Sequence, residues 1–404
     1  MKASMRGRFN QACRQSGTVL LTVMLMVAVA AFIATEIAYR QKMDVLRTEA
    51  FMARDSAFQY LVAAENLGIY ALKTDLSDDE KKSQGSPPRE IRDDLSEVWN
   101  KRVLFPIPGV GMIEGHLEDL SGRFNINSLV VTDSKKAKAY QAAFKSLLDQ
   151  VQMAHPEAFP QGVTTDMLVE RVIDWLDSDS VPTGFAGEED PDYERKERPY
   201  HTANHVITDI SELLLIDGFT PALLDVLQDD LACLPPDTPL NLFTANQDVL
   251  KAFGFDGTAV AKFVTLERPQ AYNTMGSVDY ETMQGVKQNI FSELTNANPQ
   301  GGNNTGNTNG ITPVTTTTTG TTTGSTSANI NPDLFDIKSD YYLLKGKAIV
   351  NDRPVQIESV IWRPRTPAGS GAGNNAINAA QTGSNPPEPP KVIIRKFVDP
   401  LKQV

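Results

Sequence analysis

The carboxylates between Asp174 and Asp192 are the residues of this chain best placed to do chemistry. Ile173-Asp174-Trp-Leu-Asp177-Ser-Asp179 closes a helical period, and Gly187-Glu188-Glu189-Asp190-Pro-Asp192-Tyr193 follows in a loop. A hard cation such as calcium takes six to eight oxygens from carboxylates and loop carbonyls. Asp177 and Asp179 with a loop glutamate could supply several. The spacing is not that of an EF-hand, which needs D-x-D-x-D-G and a Glu at the twelfth loop position. The plainer reading is a solvated acidic loop, which is what a run of acids usually is.

Other reactive groups carry less. His201 and His205 stand four apart, a spacing that on a helix would put two zinc ligands on one face. Pro199, Asn204 and a cap at Asp209 make that stretch a loop, and no H-E-x-x-H accompanies it. There is no G-x-S-x-G and no P-loop. Cys233 precedes Leu-Pro-Pro with no His nearby, so it reads as a buried thiol and not a nucleophile.

The N-terminus fixes the compartment in which these groups work. From Thr18 to Thr35 the chain carries no charge, at the low end of what spans a bilayer. Lys2, Arg6, Arg8 and Arg14 precede this run and no acid does, so the N-terminus stays in the cytoplasm and the bulk of the chain crosses. Two processing sites compete. Ala28-Val29-Ala30 offers a secretory A-x-A site after the run. Gly17 offers a cut before it. The second is favoured because no Pro or Gly interrupts Thr18 to Asn66. Met43, Leu46, Ala50, Ala53, Ala57, Leu61 and Ala64 continue at helical spacing. A removed signal peptide needs no such continuation.

The 404 residues allow two or more modest domains. Net charge is −12, and a leader carrying four bases and no acid would leave −16 on the remainder. An acidic chain is unsuited to nucleic acid, whose phosphates need a basic surface. Of the two cysteines, Cys13 lies in the leader, so a cleaved chain has one thiol and no intrachain disulfide.

The positioning elements read as follows. Lys73 to Pro88 is polar and contains proline, and reads as a loop. Gly111 to Leu120 alternates like a strand and runs into the turn Ser121-Gly122, after which Phe124 and Ile126 share a face, as in an ordinary hairpin. Helical periods occupy Ser134 to about Leu294. Lys136–Val151 presents Tyr140, Phe144, Leu147, Leu148 and Val151, and Thr165–Leu176 presents Leu168, Val172, Trp175 and Leu176. Asp209 with Glu212 and Thr244 with Gln247 form capping-box patterns, and Thr220-Pro221 starts another helix. Leu213…Gly218-Phe219 and Val249…Gly254-Phe255 repeat a helix, Gly-Phe turn, helix pattern. Asn296 to Ser327 and Thr366 to Pro390 are low-complexity linkers. Tyr341–Val350 and Val355–Trp362 read as strands about the turn Asn351–Pro354, with Val392–Phe397 a last strand. These can complete a sheet begun near Gly111, with the helical region inserted between early and late strands.

Gly17 followed by an apolar helix resembles the class III leader of type IV pilins and type II secretion pseudopilins. In that family a prepilin peptidase cuts after the Gly and methylates the new N-terminus, here Thr18. The family usually carries Glu at the fifth mature position. This chain has Thr22, which among pseudopilins is similar to the minor subunit K. Asp119…Gly122-Arg-Phe-Asn-Ile-Asn127 and Asp174-Trp-Leu-Asp177-Ser-Asp179, then Gly187-Glu188-Glu189, Thr202-Ala-Asn204 and Ser211-Glu212-Leu213, look like that subunit's signature. The paired Gly-Phe turns resemble SAM-like or helix-hairpin-helix units.

The resemblance implies an α+β fold: a pilin-like long N-terminal helix on an antiparallel sheet, with a large inserted all-α domain. The implied parts are a prepilin leader (1–17), a transmembrane pilin helix (18–72), a first α+β part (73–130), the insertion (131–295), a linker (296–330) and late strands (331–404). It implies a non-enzymatic inner-membrane protein with a periplasmic domain, at the tip of the pseudopilus. Implied partners are minor pseudopilins I, J and H, the major pseudopilin G and the prepilin peptidase. It also implies calcium held by Asp177, Asp179 and Glu189, with Glu188 and Asp192. The rivals are a membrane-tethered periplasmic metal-dependent hydrolase and a secreted binding protein with a conventional signal peptide.

Overall fold

The uninterrupted run of helix formers makes one helix, α1, from Ser16 to Ser83. At 1.5 Å per residue its 68 residues extend about 100 Å. The computed structural model describes residues 16–83, 92–108, 111–268, 286–295, 330–364 and 388–398. The basic leader with Cys13, the prolines Pro87 and Pro88, the linker 296–327 and most of the second low-complexity stretch lie outside the described residues.

The apolar half of α1 is bare, with Val19 to Ile37 exposed, and this is the described helix long and apolar enough to cross a membrane. The second half covers a sheet. Ala53, Ala57 and Leu61, four residues apart, pack on Ala348, Val350 and Ile357. Three turns further, Leu72 packs with Leu117, Tyr342, Leu344 and Ile361. The expected loop at Lys73 is a correction: α1 continues ten residues beyond it. Its polarity faces inward as well as outward, because Asp75 is paired to the sheet and Asp79 is buried.

The sheet is antiparallel and five-stranded. Its strands, in spatial order, are β1 (Val103–Ile107), β2 (Gly111–Asp119), β7 (Tyr341–Val350), β8 (Arg353–Trp362) and β9 (Lys391–Val398). The β7–β8 turn is tighter than expected. Asn351 and Asp352, at φ 50° and 60°, form a two-residue connection that matches strand twist, and Pro354 already pairs with Ile349.

β2 and β7 are neighbours although the insertion separates them, with Asp119 opposite Tyr342 and Gly111 opposite Val350. The insertion leaves and re-enters at the Asp119 end. Leu72 packs at this end and Ala53 at the other. The insertion therefore stands at the end of the body remote from the apolar half of α1.

Inside the insertion, α2 (Ser134–Ala154) and α3 (Thr165–Leu176) bury the faces their periods mark. The short helices α4 (Asp190–Tyr193), α5 (Pro221–Leu227), α6 (Gln247–Ala252) and α7 (Gly257–Lys262) complete it, with a further helix over Val286–Thr295. Gly218 and Gly254 take φ of 94° and 92°, the left-handed region that ends each Gly-Phe repeat. The first repeat opens with a 3-10 helix, Ile210–Leu215, boxed by Asp209 and Glu212 as expected. Thr220 caps α5 as expected. Thr244 does not cap α6, whose cap residue is Asn246. Its hydroxyl instead donates to the Asp119 carboxylate.

The hairpin expected after Ser121 is also corrected. β3 (Phe124–Asn125) pairs in parallel with β4 (Leu231–Ala232), about a hundred residues on, and β5 (Leu240–Asn241) pairs in parallel with β6 (Phe335–Asp336). Two buried asparagines bind this root. Asn127 Oδ1 accepts from Ile207 N at 2.8 Å, and its Nδ2 donates to the carbonyls of Ile207 and Leu234 at 2.9 Å each. Asn125 does the same for Leu234 N and the Pro235 carbonyl. The Asn-x-Asn string therefore serves as side-chain pairing for irregular backbone that no strand satisfies.

Candidate metal centre

Asp177 follows α3 directly, with its N–H still bonded to Ile173 O at 2.9 Å. Asp179 accepts from Val181 N at 2.8 Å, which turns the chain back. Glu189 is the residue before α4 and is buried. The turn brings one carboxylate oxygen from each of these three to within 4.8 Å of one another. Trp175 of α3 stands edge-on to Tyr193 of α4 at 5.5 Å, and Tyr193 packs against Tyr200 at 5.2 Å.

Several oxygens here are buried without a hydrogen-bond donor: Asp177 Oδ1, Asp174 Oδ2, both oxygens of Glu189 and Asn204 Oδ1. A buried polar group left unmatched is costly. Burial, then the charges of Asp174, Asp177, Asp179 and Asp190, push Glu189 up to about 7. Burial, then Asp179 and Asp174, raise Asp177 as well. Crowded oxygens that repel when empty, with no nitrogen or sulfur among them, fit a hard divalent cation. Asp177, Asp179 and Glu189 would hold it. An ion there would join the end of α3 to the start of α4.

The other two expected ligands turn elsewhere. Glu188 pairs with Arg171 at 2.6 Å. Asp192 accepts from Glu189 N at 3.2 Å and pairs with Arg195 at 2.6 Å. Asp174 and Asn204, not among the expected ligands, lie beside this group. Asp174 Oδ1 accepts from Thr183 N at 2.9 Å, and Asn204 Nδ2 donates to Asp179 O at 3.4 Å from a left-handed backbone. In the sequence Asn204 is marked by the Thr202-Ala-Asn204 string, and its left-handed φ of 48° is one that Asn tolerates.

His201 lies 3.3 Å from Asp190, and His205 contacts the Val206 carbonyl. Neither enters a close group of potential ligands among the described residues. Cys233 is partly buried, and burial pushes its thiol well above the ordinary range, which suits a packed thiol.

A second acid group, Asp75, Asp79 and Asp93, lies between α1 and the sheet. Here a guanidinium takes the place of a metal. Arg363, fully buried, reaches Asp75 at 2.9 Å and Asp93 more closely still. At the membrane end, Gly17 and Thr18 sit in the first turn of α1, and the Thr22 hydroxyl donates to Val19 O at 2.9 Å.

Residues 122–236 match the family model for type II secretion system (T2SS), protein K. Type II secretion system protein K of Pseudomonas aeruginosa is 33% identical over 239 residues, 59% of this chain and 68% of that one. The Aeromonas hydrophila protein of the same name is 30% identical over 272 residues, 64% and 77%. A chain in the crystal structure of the GspK-GspI-GspJ complex from the enterotoxigenic Escherichia coli type 2 secretion system aligns with TM-score 0.57. It covers 87% of this chain and 99% of its own at 18% identity, a likeness of fold.

Proposed function

The chain belongs to the type II secretion system protein K family and is a minor pseudopilin of that system, and from this premise we propose that it caps the tip of the pseudopilus and helps start its assembly. The observation that carries the reading is the place of the insertion. It hangs from the Asp119 end of β2 and β7, remote from the membrane half of α1. A subunit stacked beyond that end would meet it. Thr22 agrees with this. A buried carboxylate is tolerable in hydrocarbon only beside a partner amine, and a tip subunit has no amine ahead of it. A threonine that bonds back to Val19 O needs no partner.

Its partners are minor pseudopilins I and J, the two that accompany GspK in the complex of similar fold. Resemblance adds H, the major pseudopilin G and the prepilin peptidase. The peptidase cuts between Gly17 and Thr18 on the cytoplasmic face, leaving the rest anchored by α1 with its folded body in the periplasm. The protein works as a structural subunit and not as an enzyme. Calcium at Asp177, Asp179 and Glu189 stiffens the insertion.

Two measurements test this. Mass spectrometry of the membrane-extracted protein should find a chain starting at Thr18, and Gly17→Val should leave the precursor whole. A start at Ala31 would mean an ordinary signal peptide. The mature protein should co-purify with I and J in equal proportion, and gold-labelled antibody should mark one end of the fibre. Label along the shaft would refute the tip position.

A further inference from the structure

We propose that the loop Val181–Gly187 is a preformed docking knob, whose Phe185 enters an apolar pocket ringed by lysine or arginine on a protein partner. The loop sequence is Val-Pro-Thr-Gly-Phe-Ala-Gly, without a charge. Phe185 is fully exposed, and Val181 beside it is 70% exposed. A lone exposed apolar residue is ordinary, but an exposed aromatic with a second apolar side chain on a fixed loop is not.

The fixing is what sets this loop apart. Glu170 Oε2 accepts from the N–H of both Phe185 and Ala186, at 3.1 and 2.8 Å. Asp174 Oδ1 accepts from Thr183 N, and Gly187 N donates to Thr183 O at 3.1 Å. Arg171 Nε donates to Ala186 O at 3.2 Å. Gly184 has φ of +64°, and a Cβ there would run into the Glu170 carboxylate. A Cβ at Gly187 would run into Asp174 and the Thr183 backbone. A slack apolar loop could fold its phenylalanine back onto the protein, whereas this one holds the ring out. Its ordering cost is met before any partner arrives, which favours tight binding. Buried aromatic anchors of this kind dominate interface energies.

The collar of the knob chooses the partner. Glu170, Asp177, Glu188 and the exposed Asp179 edge the loop base, with Asp174 and Glu189 buried beneath them, against two cations, the buried Arg171 and Lys196. A divalent ion in the candidate centre would still leave the collar acidic. Complementarity then asks for a basic rim about the receiving pocket. An anionic lipid surface would repel the same collar, so a protein is favoured over a membrane.

The test uses the full chain in cells that secrete through this system, with the native gene deleted. Variants Phe185→Ser, Phe185→Trp and Met153→Ser are compared with wild type for exported protein in the medium. Met153 is another exposed apolar residue of the insertion and serves as control. Phe185→Ser should lower export about tenfold or more, as loss of an aromatic hot spot does to an affinity. Phe185→Trp and Met153→Ser should stay near wild type, with unchanged protein level and co-purification with I and J. A photoreactive benzoylphenylalanine at position 185 should crosslink into an apolar pocket rimmed by Lys or Arg, mapped by mass spectrometry. Wild-type export by Phe185→Ser, a crosslink to phospholipid, or a mapped site without basic residues would each overturn the proposal. The inference rests on the secretion role only for the export readout. If deletion of the chain leaves export intact, that role fails and the crosslink alone decides the knob.

Discussion

Arg395 of the last strand clamps Glu65 of the long helix across 330 residues of sequence, with Nε to Oε1 at 2.7 Å. Glu65 is buried, and Ser359 of β8 donates to the same carboxylate. The ion pair therefore fixes an edge strand that follows a long low-complexity stretch.

Removing one partner of this pair should cost more than removing both. Arg395→Ala leaves Glu65 buried and short of a countercharge. Arg395 is about a third exposed, so we expect a loss of about 2 kcal/mol, below the 3–5 of a fully buried pair. Glu65→Leu with Arg395→Leu should recover most of that. Urea melts of the detergent-purified chain would measure both, and additive losses in the double variant would refute the coupling.

The Asn-x-Asn root predicts a second large effect. Asn127→Ala removes the partners of Ile207 N, Ile207 O and Leu234 O from a buried site. An unmatched buried group costs about 1–3 kcal/mol, so the loss should be about 3 kcal/mol or more. Loosening should be confined to the insertion, and hydrogen exchange should rise at 207 and 234 before it rises in β7.

The acid group around Arg363 predicts a pH slope. Burial, offset by Arg363 and reinforced by Asp93 and Asp79, raises Asp75 to about 7, from an ordinary value near 4. The folded state thus holds a proton that the unfolded state releases. Its contribution is whole below about pH 4 and is lost as pH rises towards 7, with a slope of up to about 1.4 kcal/mol per pH unit. Glu97, raised from 4.5 to about 10 first by burial, acts in the same sense from about pH 4.5 to 10, so the two slopes overlap. Asp75→Asn should lower the slope between pH 4 and 7, leaving the part due to Glu97, in denaturant titrations. An unchanged slope would place the proton elsewhere.

Calcium should raise the melting temperature, by mass action on the folded state. At one hundred times Kd the gain is about 2.7 kcal/mol. Asp179→Asn and Glu189→Gln should shrink the rise. Asp192→Asn should not, because Asp192 is held by Arg195 and by Glu189 N. A melting temperature indifferent to calcium and EDTA would reduce the centre to an acidic turn.

Local pattern alone determined a good part of this protein. The apolar run after Gly17, the period from Ala53 to Leu61, the helices about Phe144 and Trp175, the late strands and the Gly-Phe turns all follow from spacing. Each of these depends on which face of its own element is apolar, and the chain prints that directly. What the tertiary structure decided concerns polar groups. Asp75 and Asp79 look like loop residues until Arg363, far along the chain, is seen between Asp75 and Asp93. Glu188 and Glu189 are neighbours of one type, yet Arg171 draws off the first and leaves both oxygens of the second without a donor. Thr244 reads as a cap and is spent on Asp119, and Phe124 pairs with Leu231 and not with its neighbours. A carboxylate or hydroxyl takes its role from the group that faces it. That group is set by how distant segments pack, and no local period records it.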